Sequence, residues 1–214
     1  MKQLWNDKKV GTLIISYYRC GTHFLHDVID DQYPFSTTML EEICNDNSPQ
    51  QLIDLTDNNM PYKLCILNNS DPKFWLTSAS ELLSKWHVIN LTRKNKLNHF
   101  ISHWFWFQNT LDQQLSDTGN FLHHGTKNSM YRQHLDEVKK TVSLDFVIQW
   151  LQEQLINGYI KSDVVMDYDE LINYQTDNIK WMPNHYDNIC LKDIIINYKE
   201  IQNLLSNFNI TNEN

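Results

Sequence analysis

Apolar positions fall in two rhythms along this chain. Short unbroken runs, Leu13-Ile14-Ile15, Tyr62 to Leu67 (YKLCIL), His87 to Leu91 (HVINL) and Val164-Val165-Met166, are closed off by polar residues and read as buried strands. Between them apolar residues recur every three or four positions, the period of a helix with one buried stripe. Phe24, Leu25, Val28 and Ile29 keep that period, with His26, Asp27 and Asp30 on the other face. So do Trp75, Leu76, Leu82 and Leu83 within 73–85, and Leu97, Ile101 and Trp104 within 95–111, where Ser102 takes a flanking face. Ser143 reads as the cap of a helix that buries Phe146, Val147, Trp150, Leu151 and Leu155 and closes near Asn157-Gly158. Leu191, Ile194, Ile195, Tyr198, Ile201, Leu204 and Leu205 define a terminal amphipathic helix. Strands alternating with helices predict an α/β fold of three layers, a central mainly parallel sheet joined by right-handed crossovers and flanked by helices.

The intervals are polar. Residues 1–11 form a lead-in, and Met39 to Cys44 (MLEEIC) reads as one or two helical turns carrying the adjacent carboxylates Glu41 and Glu42. Residues 45–59 read as irregular surface structure around a small helix anchored by Leu52, Ile53 and Leu55. Residues 110–140, with Gly119, Gly125 and His123-His124, read as a long surface loop or lid. Residues 173–188 read as irregular and the last residues as a frayed tail. Nothing in the pattern marks a boundary, so one domain spanning 1–214 is expected.

Composition narrows the function classes. A chain of 214 residues with 41% hydrophobic content can bury a sizeable core, and only 5 Gly and 5 Pro argue against flexible linkers. The formal net charge of −8 argues against broad binding to nucleic acid, though a local basic cluster can still hold a small anion. The first residues have no apolar stretch of the signal-peptide kind, and no run is long enough to cross a membrane. Cys20, Cys44, Cys65 and Cys190 lie far apart and form no C-x-x-C, so neither a zinc site nor a disulfide framework is indicated. A reducing, cytoplasmic setting is the expectation.

Two turns carry candidate chemistry. Leu13-Ile14-Ile15 runs through Tyr18-Arg19-Cys20-Gly21-Thr22-His23 into the first helix. A strand turning sharply into a helix presents unused backbone N–H groups and the positive end of the helix dipole, which suits an oxyanion. Gly21 lets the backbone approach a ligand, Thr22 supplies a hydroxyl, and Arg19 supplies a two-pronged donor. No G-x-x-x-x-G-K-[ST] is present, so this is not a Walker A loop. The second turn, Thr92-Arg93-Lys94-Asn95-Lys96, follows the third strand and is basic. In parallel sheets ligands bind outside the carboxyl ends of the strands, where both turns fall.

Read together, these turns resemble sulfotransferases that use 3′-phosphoadenosine-5′-phosphosulfate (PAPS). Arg19-Cys20-Gly21-Thr22-His23-Phe24-Leu25 is similar to that family's 5′-phosphosulfate loop, R/K-S-G-T-T/S-x-L, with Cys20 in place of serine and His23 in place of serine or threonine. Leu91-Thr92-Arg93-Lys94-Asn95-Lys96-Leu97 followed by Ser102 resembles the 3′-phosphate motif. It is most similar to the L-T-R-x-N-K-L…S form of bacterial trehalose-type sulfotransferases and their phage relatives, and Ser102 lies nine positions after Arg93 as it does there. Met166-Asp167-Tyr168-Asp169-Glu170-Leu171 is similar to the Y-E-D-L that leaves a late strand in many members, and Lys63 stands where many carry a lysine.

The resemblance implies a P-loop-like fold, PAPS as donor, the bisphosphate PAP as product, and transfer of a sulfuryl group to an acceptor hydroxyl. The acceptor would be a carbohydrate or small metabolite, and the scheme requires no metal. Arg19, Cys20, Gly21, Thr22, His23 and Phe24 would form the phosphosulfate loop, with Arg19 also neutralising charge on the leaving phosphate. Arg93 and Ser102 would hold the 3′-phosphate. Such a transfer parallels phosphoryl transfer, in which positioning and charge neutralisation do most of the catalysis. The general base stays open among Glu41, Glu42 and His23, with His26 a further alternative near the loop. The aromatic run Trp104 to Phe107 is too wide for one buried face, so one or two rings fall to an acceptor pocket. His123, His124 and His134 read as loop histidines, not metal ligands. Two rivals stand beside this reading: a P-loop-type kinase or nucleotide-binding protein, and a non-catalytic binding module on the same fold. The polar excursions either pair the chain as a homodimer or cover the pocket.

Overall fold

The computed structural model describes residues 3–17, 20–32, 38–40, 50–57, 63–68, 75, 80–104, 141–174 and 195–210. The chain groups into two compact units, Met1–Lys94 with Leu151–Trp181, and Asn95–Trp150 with Met182–Asn214.

The first unit holds a five-stranded sheet of β1 (Gly11–Ser16), β2 (Thr38–Leu40), β3 (Lys63–Asn68), β4 (His87–Thr92) and β5 (Val164–Asp167), in the order β2-β3-β1-β4-β5. Every neighbouring pair is parallel, with Ile14 opposite Ile66 on one side and Ile89 on the other. Both faces are covered, which is why the central strands are apolar runs without alternation. On one face Ile14, Leu64, Ile66, Ile89, Leu91 and Met166 pack with Leu25, Val28 and Ile29 of α1 (Thr22–Gln32). On the other, Leu13, Ile15, Cys65, Leu67 and Val88 pack with Leu52 of α2 (Gln50–Asp57) and Leu83 of α3 (Ser80–Ser84). Trp86 closes this second layer, its Nε1–H donating to Thr56 Oγ1 at 2.9 Å. The fold is therefore the expected α/β class, a parallel sheet between helical layers.

Three local readings are corrected. Met39 and Leu40, taken as the start of a helical turn, lie in β2, where pairing with β3 sets the conformation of a segment too short to choose for itself. The lead-in is partly core: Leu4 is buried and its carbonyl accepts the Thr12 hydroxyl at 3.1 Å. The last helix begins at Tyr198, so Ile195 precedes it.

In the second unit, residues 96–104 are helical and are labelled α4. Asn95 Oδ1 accepts the Asn98 N–H at 3.0 Å, which caps its start. Ser143 lies just ahead of α5 (Leu144–Gly158), whose residues from Leu151 on belong to the first unit, with its hydroxyl 3.5 Å from the Phe146 N–H, at the cap read from sequence. His99, Phe100 and His103 form an aromatic cluster with Phe146 and Trp150, with His99 edge-on to Trp150 at 5.0 Å between centroids. The unit ends with the long helix Tyr198–Ile210. Asn197 exchanges two hydrogen bonds with the Val142 backbone, at 3.0 and 2.8 Å. No helix among the described residues is long and apolar enough to cross a membrane.

Candidate anion site at the carboxyl ends of β1 and β4

β1 has β3, and β2 beyond it, on one side and β4 and β5 on the other, so the order of connection reverses beside it. Crevices at such reversals, outside the carboxyl ends of strands, are where parallel sheets take ligands. Three turns meet at this edge of the first unit.

The first follows β1. Tyr17 is buried and its hydroxyl donates to Glu153 Oε2 of α5 at 2.5 Å, anchoring the exit of the strand. Tyr18 and Arg19 lie outside the described residues. Cys20 is 1% exposed and belongs to the core, which accounts for a thiol where the resemblance expects a serine. Gly21 has φ +83°, a left-handed conformation that favours glycine. The Leu25 N–H donates to the Gly21 carbonyl at 3.1 Å, which closes the turn into the start of α1. Thr22 is buried, His23 is exposed on the first turn, and Phe24 is half-buried against the core.

The second turn follows β4. Thr92 Oγ1 donates to the Met166 carbonyl at 3.3 Å, and the Lys94 N–H donates to Asp167 Oδ2 at 2.7 Å. Arg93, half-buried between them, lays its guanidinium over the Tyr168 ring, 4.5 Å from the centroid.

The third is the corner where β5 becomes α6 (Tyr168–Leu171). Asp167 caps that short helix by accepting the Asp169 N–H at 3.0 Å. Tyr168 is buried here, and a Cβ added to Gly21 would fall 2.9 Å from its ring. One aromatic ring thus abuts both the Gly21 turn and the Arg93 side chain.

The remaining candidates lie elsewhere. Ser102 sits on α4 in the second unit and is 8% exposed, buried where a flanking position was expected. Glu41, Glu42, Phe105 to Phe107, His123, His124, His134 and the whole expected lid lie outside the described residues. Trp104 is buried. His26 is 3% exposed, so unlike His23 it is not presented to an acceptor. Lys63 lies at the opposite, amino end of the sheet, buried and paired in register with Gly11. Sequence reading names Asp167 and Tyr168 only within the Met166–Leu171 stretch, without a role at the site for either, and does not single out Tyr17. The D-x-D spacing of Asp167 and Asp169 directly after a strand was the available signal, since an aspartate there caps the next turn.

Searches against family models, curated proteins and solved structures returned no match.

Proposed function

We propose that the chain is a sulfotransferase that binds PAPS at this edge and passes its sulfuryl group to a hydroxyl of a carbohydrate or small metabolite. The observation that carries the reading is the pair of anion-type turns, at Gly21 and Arg93, on the adjacent parallel strands β1 and β4. A donor with a 5′-phosphosulfate and a separate 3′-phosphate needs two cradles, and a single-phosphate ligand needs one. The resemblance of Arg19–Leu25 and Leu91–Leu97 to the family's two motifs favours the same assignment, including the P-loop-like character of the fold.

The residues fit such a donor. The N–H groups at the start of α1 and the positive end of its dipole suit the phosphosulfate, and a side chain at Gly21 would crowd Tyr168. Arg93 is a fixed, permanently charged fork suited to the 3′-phosphate. By resemblance Arg19 belongs with the first cradle. The bound donor supplies an activated sulfuryl group. The chain holds and orients it, neutralises charge on the departing bisphosphate, and takes the acceptor proton on a base, for which Glu41, Glu42 and His23 are the candidates.

Calorimetric titration with adenosine 3′,5′-bisphosphate, against ATP with Mg²⁺, tests this without knowledge of the acceptor. Micromolar binding of the bisphosphate, weakened at least about tenfold by Arg93→Ala as expected for a lost charge-assisted contact, is the expected result. Preference for ATP with Mg²⁺ would assign the site to a nucleotide kinase or hydrolase instead.

A further inference from the structure

Tyr168 is tied to both candidate cradles by separate contacts. Its ring lies 4.5 Å under the Arg93 guanidinium and comes within 2.9 Å of where a Cβ on Gly21 would fall. The ring itself is fixed: it is 9% exposed and is the first residue of α6, directly after the Asp167 cap. The same Asp167 carboxylate holds the Lys94 N–H, so the backbone bearing Arg93 and the ring beneath its side chain share one support.

We propose that Tyr168 is a positioning residue that sets the spacing between the two anion sites, and that it thereby selects a ligand with two anionic groups over one with a single group. This rests on the donor reading above. Arginine is long and loses much rotamer freedom when it is held. An aromatic face beneath the guanidinium pre-organises it for the second anion. The Gly21 turn, against the same ring, is referenced to the same point. The aromatic face carries the role, not the hydroxyl, so phenylalanine should serve equally.

The test uses the full chain in five forms: unaltered, Tyr168→Phe, Tyr168→Leu, Arg93→Ala and the Arg93→Ala/Tyr168→Leu double variant. Each is titrated with adenosine 3′,5′-bisphosphate and with adenosine 5′-phosphate. The rate at which phenylglyoxal modifies Arg93 is followed by peptide mass spectrometry in the ligand-free protein. Tyr168→Leu should weaken the bisphosphate about tenfold, shift the monophosphate by no more than about twofold, and speed modification of Arg93. Tyr168→Phe should match the unaltered chain, and the double variant should bind no worse than Arg93→Ala alone. Equal loss for both nucleotides, additive losses in the double variant, or an unchanged Arg93 rate would overturn the proposal. If the unaltered chain binds neither nucleotide, the donor reading fails and spacing selection fails with it. The Arg93 rate then still decides the positioning: faster modification in Tyr168→Leu supports it, and no change overturns it. Should the leucine variant not fold, Tyr168→Met, which keeps bulk beside Gly21 without an aromatic face, gives the same comparison.

Discussion

The Asp167 carboxylate reaches across from β5 to accept the backbone N–H of Lys94 at 2.7 Å, while its other oxygen caps α6. Asp167 is 4% exposed, so both bonds form away from bulk water, where an unmet donor is costly. Asp167→Asn keeps the shape but turns an NH₂ group toward one of the two N–H donors. The expected cost is about 1–3 kcal/mol from the unmet donor. Thermal unfolding should then fall by about 2–4 °C for each kcal/mol lost, for a chain of this size. A melting temperature within about 1 °C of the unaltered chain would mean the N–H groups find other partners.

Gly21 meets two separate restrictions, its φ of +83° and the Tyr168 ring. Gly21→Ala should destabilise by about 1–2 kcal/mol for the left-handed backbone alone, with more from displacing the ring. The two parts separate in a cycle with Tyr168→Leu. Removing the ring relieves the crowding but not the backbone strain, so the paired substitutions should cost less than the sum of the singles. Denaturant unfolding of the four forms reads this directly, and strictly additive costs would mean that the ring and the turn do not press on each other.

Where a stretch is buried on both faces or carries a clean helical stripe, its element was legible in the sequence. β1, β3 and β4 are apolar runs because the sheet is covered on both faces there, β5 is a short apolar run with Val165 exposed, and α1 and α5 show their stripes plainly. β2 was not legible, because a three-residue strand owes its conformation to β3 beside it. Asn90, inside the apolar run of β4, gave no hint of its partner. It is 1% exposed and exchanges hydrogen bonds with Asn157, 67 positions away. The candidate site divides in the same way. Gly21 and Arg93 stood out from local chemistry, whereas Tyr168 and Asp167 act through contacts that only the parallel alignment of β4 and β5 creates.

Glu41 and Glu42 are the first candidates for the base, on resemblance. Replacing both with glutamine removes their basicity and keeps their size. Sulfuryl transfer, followed as bisphosphate release across an acceptor screen, should be lost, while affinity for adenosine 3′,5′-bisphosphate stays within about twofold. Unchanged turnover would eliminate both and pass the role to His23, which is exposed on the first turn of α1.

Cys65 gives the fold a pH dependence of known sign. Its thiol lies on β3, fully buried among Leu13, Ile15, Leu52 and Val88. Burial pushes its pKa up from 9.0 to about 12, against a smaller downward pull from the Lys63 charge. The folded chain therefore keeps this proton over a range in which the unfolded chain gives it up. The contribution is fully present below about pH 9 and is lost as pH rises toward about 12, at about 1.4 kcal/mol per pH unit. Other alkaline groups titrate in the same range, so the comparison is with Cys65→Val, which fills similar space and does not ionise. Urea unfolding of both at pH 8, 9.5 and 10.5 should show a constant difference up to about pH 9 and a steeper decline for the cysteine form above it. Parallel curves across all three would mean that the thiolate forms as readily inside the fold as outside it.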